Sequence, residues 1–323
     1  MPNRVHLGHT GTELTNLGFG AWGIGGNAYG PTDDDVSRAA LTMAFELGVR
    51  FYDTADVYGD GRSERLIGEA LGRFRDSLVI ATKVGFNFYD GSYRGTFDAD
   101  YIRNACQQSL DRLGTHFIDI YQLHNPPQEV LARGEALATL VELQRAGKIR
   151  VPAVSVAKAE DAHEVLRHPE YKAIQIIYNL IDQRPRTQGI LDAARLKGVG
   201  IIARVPLAYG FLTGKYHPGH QFGPLDHRAK KPQHEIDRYL HRAERLLAYS
   251  TKGGTATTPT ELALRFCISH PGVTTVIPGL KTPSQVREAV HAIDRGPLQA
   301  AVLEEIYGLG LAWASEDAPV GVS

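Results

Sequence analysis

The chain has 323 residues, 43% of them hydrophobic and 22% charged, which supplies a packed core and argues against disorder. Its 35 basic and 36 acidic side chains leave a formal net charge of -1, so no global field draws nucleic acid or an anionic membrane, and any basic site must be local. No run of about 18 apolar residues exists, and the opening MPNRVHLGHTGTELTNLG carries no apolar leader segment, which excludes a membrane span. The two cysteines, Cys106 and Cys267, fall in separate helix-like stretches; this is no disulfide framework and points to a reducing cytoplasm.

In chain order, two β-prone pieces come first, Arg4 to Leu7 and Glu13 to Leu17, joined through His9-Thr10-Gly11 as a hairpin. Strand-length apolar runs then alternate with amphipathic helical stretches, the pattern of βα units in a parallel sheet. The strands fall at 17–20, 49–53, 78–83, 118–123, 151–156, 173–177, 200–203 and 274–277. In the first helix Thr32 serves as cap, Asp33, Asp34 and Asp35 complement the dipole, and Gly48 ends it. A second helix runs from Asp98 to Leu113 before Gly114, and another from Ala132 to Gly147 with Leu137, Leu140, Val141 and Leu143 as its stripe. Tyr216 to Arg228 reads as a long loop after the seventh strand, and the tail from about 312 reads as poorly ordered. Eight alternations favour one closed (β/α)8 barrel over residues 1–323, although periodicity also allows an open doubly wound sheet.

Three polar side chains stand at strand ends. Asp53 closes the second strand, Lys83 the third, and His124 follows the fourth. In a parallel barrel these ends share one face, where active sites of the architecture lie. Tyr58, five residues beyond Asp53, sits in the loop above the same strand. A free phenol is a weak acid toward a carbonyl oxygen; a neighbouring ammonium, Lys83, lowers its pKa, and Asp53 makes that buried ammonium tolerable. His124 is then placed to orient a carbonyl oxygen toward Tyr58. Taken singly, each of these residues also reads as a cap, a surface charge or a packing aromatic.

The motifs together resemble the aldo-keto reductase family: GFGAW at 18–22, DTADVYGDGRSE from Asp53, ATK ending at Lys83, DIYQLHNP around His124, GKIR at 147–150, PLAYGFLTGKY at 206–216 and IPGLKTPSQVRE at 277–288. They run in the family's order from about residue 4 to about residue 310. The resemblance implies a TIM barrel and reduction of an aldehyde or ketone with NADPH, Asp53, Tyr58, Lys83 and His124 forming the catalytic tetrad. It also implies cofactor contacts at Gly20, Ala21, Trp22, Asp53, Ser155, Gln175, Arg204, Leu207, Gly210, Lys215, Gly279, Lys281, Gln285 and Glu288. A cation at Lys281 favours the 2′-phosphate of NADPH over NADH. Three positions depart from the family pattern: Val156 and Ala289 replace frequent asparagines. Arg204 replaces an aromatic, and its charge disfavours the oxidised nicotinamide.

The substrate pocket is expected at Trp22, Tyr58, Phe86 and His124, with Phe88, Tyr89 and Tyr93 as further aromatic candidates. The partner is a small carbonyl compound, a sugar or natural product being one form, with no nucleic acid, membrane or metal; oligomeric state is not readable. A rival reading is a nicotinamide-binding, redox-sensing regulatory subunit with little turnover, which an added N-terminal segment would favour. Two signals are discounted. Gly18 to Gly23 satisfies GxGxxG, but the glycines and proline of 24–31 leave no helix to start there. His217, His220 and His227 share a loop without metal-ligand spacing. Arg184, Arg186, Arg228, Lys230 and Lys231 read as solvated charge before they read as an anion site.

Overall fold

The computed structural model describes residues 1–250 and 258–316. A hairpin of β1 (Arg4–His6) and β2 (Glu13–Thr15) opens the chain. Then follow β3 (Gly18–Gly20), β4 (Phe51–Asp53) and β5 (Val79–Val84), a small second hairpin of β6 (Phe86–Asn87) and β7 (Arg94–Gly95), and β8 (Ile118–His124). The last strands are β9 (Ile149–Ser155), β10 (Ala173–Ile177), β11 (Gly200–Arg204) and β12 (Thr275–Ile277). Apart from the two hairpins, the strands form one eight-stranded parallel sheet in sequence order. Parallel bridges Leu17↔Val276 and Gly20↔Gly279 join its two edges, so the sheet closes as a (β/α)8 barrel rather than the open sheet. Gly20 is required at that seam, because a Cβ there would stand 2.7 Å from the Pro278 carbonyl oxygen.

The helices follow their local chemistry with two corrections. Asp33, not Thr32, caps the first helix (Asp34–Glu46), accepting from Val36 N; Thr32 instead bonds Ile24 O and Arg62. The stretch expected as one helix from 132 is two, Gln128–Arg133 and Glu135–Arg145, because Gly134 adopts a left-handed φ of 75° between them. Asp98 and Gly114 bracket Ala99–Leu113 as expected. The last helix, Ala300–Glu316, runs past the position at which the sequence suggests a loose tail; the rest of that tail, 317–323, lies outside the described residues. Among the described residues, no helix is long and apolar enough to cross a membrane.

What positions the site is strand parity. Side chains two apart share a face. Phe51, Val79, Ala81, Ile120, Val151, Ala153, Ala173, Ile202 and Ile277 pack together inside the barrel, and the hairpin's Leu7 and Leu14 join them as a plug at the N-terminal end. Tyr52, Ile80, Val84, Tyr121, Leu123 and Val154, of opposite parity, pack outward into the helical layer. Continuing the inward parity toward the C-terminal ends gives Asp53, Lys83, Gln122, His124, Ser155, Gln175 and Arg204. The interior is thus an apolar layer with a polar layer above it.

The loop after β4 is held by backbone bonds from Tyr58 N to Ala55 O and from Ser63 N to Tyr58 O. Gly59 in it has φ 61°, and a Cβ there would stand 2.1 Å from Gly25 O. A Gly59→Ala protein is therefore expected to lose about 1–3 kcal/mol in a denaturant titration. Unchanged stability would show that the Tyr58 loop is not pressed against the 22–25 turn.

Candidate active site

Lys83 is wholly buried, and its ammonium has three partners: Asp53 Oδ2 at 2.7 Å, Thr54 O at 2.7 Å and the Tyr58 hydroxyl at 3.5 Å. That exhausts its three N–H bonds. Burial works against the ammonium, but Asp53 and then Tyr58 outweigh it, so Lys83 titrates above the ordinary lysine value. Tyr58 also titrates above its ordinary value. Burial is the largest influence; Lys83 and Arg204 oppose it and Asp53 adds to it. The lowering expected from Lys83 is present but outweighed by desolvation. His124 packs edge-on against Tyr58, ring centroids 5.8 Å apart, and against Phe86 at 5.1 Å. Burial, followed by Lys83 and Arg204, holds it well below the usual histidine range, so the ring is neutral.

Asp53, Tyr58, His124 and Phe86 face a cleft of about 550 Å³ at the C-terminal strand ends, and Lys83 lies buried behind them. Of the residues expected from the sequence, Gly20, Trp22, Asp53, Tyr58, Phe86, Tyr93, His124, Gln175, Arg204, Leu207, Gly210, Lys215, Gly279, Lys281 and Gln285 line it. Others do not. Ala21 is buried with its N–H on Asp53 O and its carbonyl accepting from Ser63, and Ser155 is buried 3.5 Å from Gln175 Oε1. Glu288 points outward from the helix Pro283–Asp294, while Phe88 and Tyr89 stack on each other beside Arg112. Val156 and Ala289, two of the departures, are both packed in the core. The third, Arg204, donates to Val156 O at 3.0 Å.

Sequence reasoning missed several wall residues, among them Asn27, Tyr29, Asn125, Tyr209 and Tyr216, because loop conformation decides them. It discounted Arg228, which lines the cleft and is held by Asp226 at 2.6 Å and by Tyr209 O at 2.9 Å. Arg184 pairs with Asp182, and Arg186 lies over Tyr307, away from the cleft. The long loop after β11 folds over the cleft's edge: Asp226 pairs with Tyr29, and His227 N donates to Ala28 O. The His227 ring packs 4.8 Å from both Trp22 and Tyr29, and burial, despite Asp226, pulls its pKa down to about 4. Behind GFGAW the chain makes only the turn Trp22–Gly25, and a helix begins at Asp34, so the GxGxxG pattern has no helix N-terminus to serve it.

Lys215, Arg228 and Lys281 converge in the cleft. Burial and then Arg228 hold Lys281 below the ordinary lysine value, with Lys215 adding to the repulsion. Such crowding of cations favours a polyanion. An aromatic wall, an amide and three cations in one cleft fit the parts of a nicotinamide dinucleotide.

Comparison with known proteins agrees with this geometry. The model of the aldo/keto reductase family matches residues 16–310. The NADP(+) aldo-keto reductase yakc of Schizosaccharomyces pombe is 32% identical over 90% of this chain and 86% of its own. The NADH-specific methylglyoxal reductase of Escherichia coli is 30% identical over 90% of this chain and 93% of its own. The holo form of an aldo-keto reductase from Bacillus halodurans superimposes with a TM-score of 0.80 at 29% identity, covering 96% of each chain. The chain is an oxidoreductase and belongs to the aldo/keto reductase family.

Proposed function

We propose that the protein reduces an aldehyde or ketone to the alcohol with NADPH, Tyr58 giving its proton to the carbonyl oxygen. The observation that carries this is the contact of the Tyr58 hydroxyl with a buried ammonium that Asp53 holds in place. When bound, the nicotinamide supplies the hydride. The chain's own residues supply the rest. Tyr58 is protonated at neutral pH, which suits it as an acid, and Lys83 stabilises the phenolate left behind. His124 is neutral, and its Nδ1 is sealed from solvent with no hydrogen-bond partner among the described residues, so its proton is best placed on Nε2, where it donates to the carbonyl oxygen. Trp22, Phe86 and Tyr93 bound the substrate side and keep water from it. Gln175 is placed for the nicotinamide carboxamide, and Lys215, Arg228 and Lys281 for phosphate groups, with Lys281 favouring NADPH. Two buried, unpaired cysteines suit a cytoplasmic setting.

Tyr58→Phe is expected to lower kcat for aldehyde reduction by about 10²- to 10⁴-fold while the Kd for NADPH, read by fluorescence quenching, stays within about twofold. Parental turnover would remove Tyr58 from the reaction. Because Tyr58 titrates above its ordinary value and reduction needs the phenol, kcat/KM for reduction is expected to be flat from about pH 7 to about pH 9 and to fall only above that. A fall below about pH 8 would contradict the assignment. Lys281→Met is expected to weaken NADPH binding by about 10-fold or more and leave NADH binding nearly unchanged. Equal losses for both would show that Lys281 does not read the 2′-phosphate.

A further inference from the structure

Asp53 does not face Lys83 alone. Its Oδ2 takes the ammonium, while its Oδ1 accepts from two buried amides, Gln122 Nε2 at 3.0 Å and Gln175 Nε2 at 2.7 Å. The two amides also bond each other, Gln175 Nε2 donating to Gln122 Oε1 at 3.1 Å. This ring dictates both amide orientations: each nitrogen has a carboxylate oxygen before it, and a reversed amide would set oxygen against oxygen. Gln122 is fully buried on β8, inside the barrel and below the cleft.

We propose that Gln122 is a positioning residue of the reaction: with Gln175 it clamps the Asp53 carboxylate from the side opposite Lys83, and so sets how readily Tyr58 releases and regains its proton. Two amide donors spread the negative charge of Oδ1 away from the Tyr58 side and keep the carboxylate plane turned toward the ammonium. With one donor removed, charge concentrates beside the phenol and opposes the phenolate. The other groups acting on Tyr58 are Lys83 from β5, Arg204 from β11, His124 from β8 and Tyr29 from the segment after β3. Lys83 stands beside Gln122 in the β5–β8 ladder, but the side-chain bonds of Gln122 among the described residues run to Asp53 and Gln175, and Asp53 is the one of these that bonds Lys83. Ser155, at 3.5 Å from Gln175 Oε1, extends the same chain of contacts to β9.

The inference rests on Tyr58 as the proton carrier, and the test separates the two. The pH profile of kcat/KM for alcohol oxidation, which needs the phenolate, is measured for the parent, Gln122→Met and Tyr58→Phe. The Met variant keeps the volume and removes the donor. Its acid limb is expected to move up by at least about 0.5 unit, lowering the rate below the limb about 3-fold, with the Kd for NADP+ changed less than about twofold. A limb unmoved within about 0.2 unit overturns the role of Gln122. A Tyr58→Phe enzyme with the parental profile would instead overturn the reading beneath it. Should Gln122→Met not fold, Gln122→Glu keeps the shape and sets a second acid against Asp53. The pair then shares one proton, and activity is expected to gain a second limb as that proton leaves. A Glu variant with the parental profile overturns the proposal.

Discussion

The site depends on one interaction: a lysine ammonium with no exposure to water, held 2.7 Å from a carboxylate inside the barrel. Removing either partner of such a pair strands the other charge, at a cost of about 3–5 kcal/mol. The pair survives because its remaining valences are filled: Thr54 O and Tyr58 on the ammonium, two glutamine amides on the carboxylate. The phenol and one edge of the carboxylate are where this arrangement reaches the cleft. Around them at the mouth stand the aromatic side chains Trp22 and Phe86 and the cations Lys215, Arg228 and Lys281.

The closed sheet makes this possible. Eight strands run parallel, so their C-terminal ends, and the last inward side chains on them, meet at one mouth. Below them the inward positions are Phe51, Val79, Ala81, Ile120 and Ile202, an apolar floor stopped at its far end by Leu7 and Leu14 of the hairpin. A charge pair above such a floor has a low local dielectric and little competing water, which strengthens each of its contacts. Above the pair, the loop after β11 and the Tyr29 segment close against each other around His227.

Much of this was legible in the residues. Strand positions read from apolar runs fall within one or two residues of those observed, because a parallel strand buried on both faces is a continuous apolar stretch. Asp53, Lys83 and His124 were found because each ends such a run. Gln122 was missed, although it lies two residues before His124 and shares its inward face; counting back by two from a known interior residue would have found it. Elsewhere local chemistry was outcompeted by tertiary contacts. Thr32 was drawn away from its capping role by Ile24 and Arg62, and Gly134 broke a stretch whose stripe reads as continuous. Ala21 and Glu288 show the same limit: neighbours in sequence of cleft residues, they point elsewhere. The downward pull of Lys83 on Tyr58 is legible from the residues, whereas the burial that outweighs it cannot be read from spacing.

The most direct measurement is the titration of Lys83 itself, by the ¹³Cε NMR shift of labelled lysine in the cofactor-free protein, assigned by its loss in a Lys83→Met variant. The account predicts one ammonium whose midpoint lies above the ordinary lysine value of about 10.4, since Asp53 outweighs burial. A midpoint at or below about 9 would mean that burial wins, and the charge on which the proposed acid role of the phenol depends would not be there.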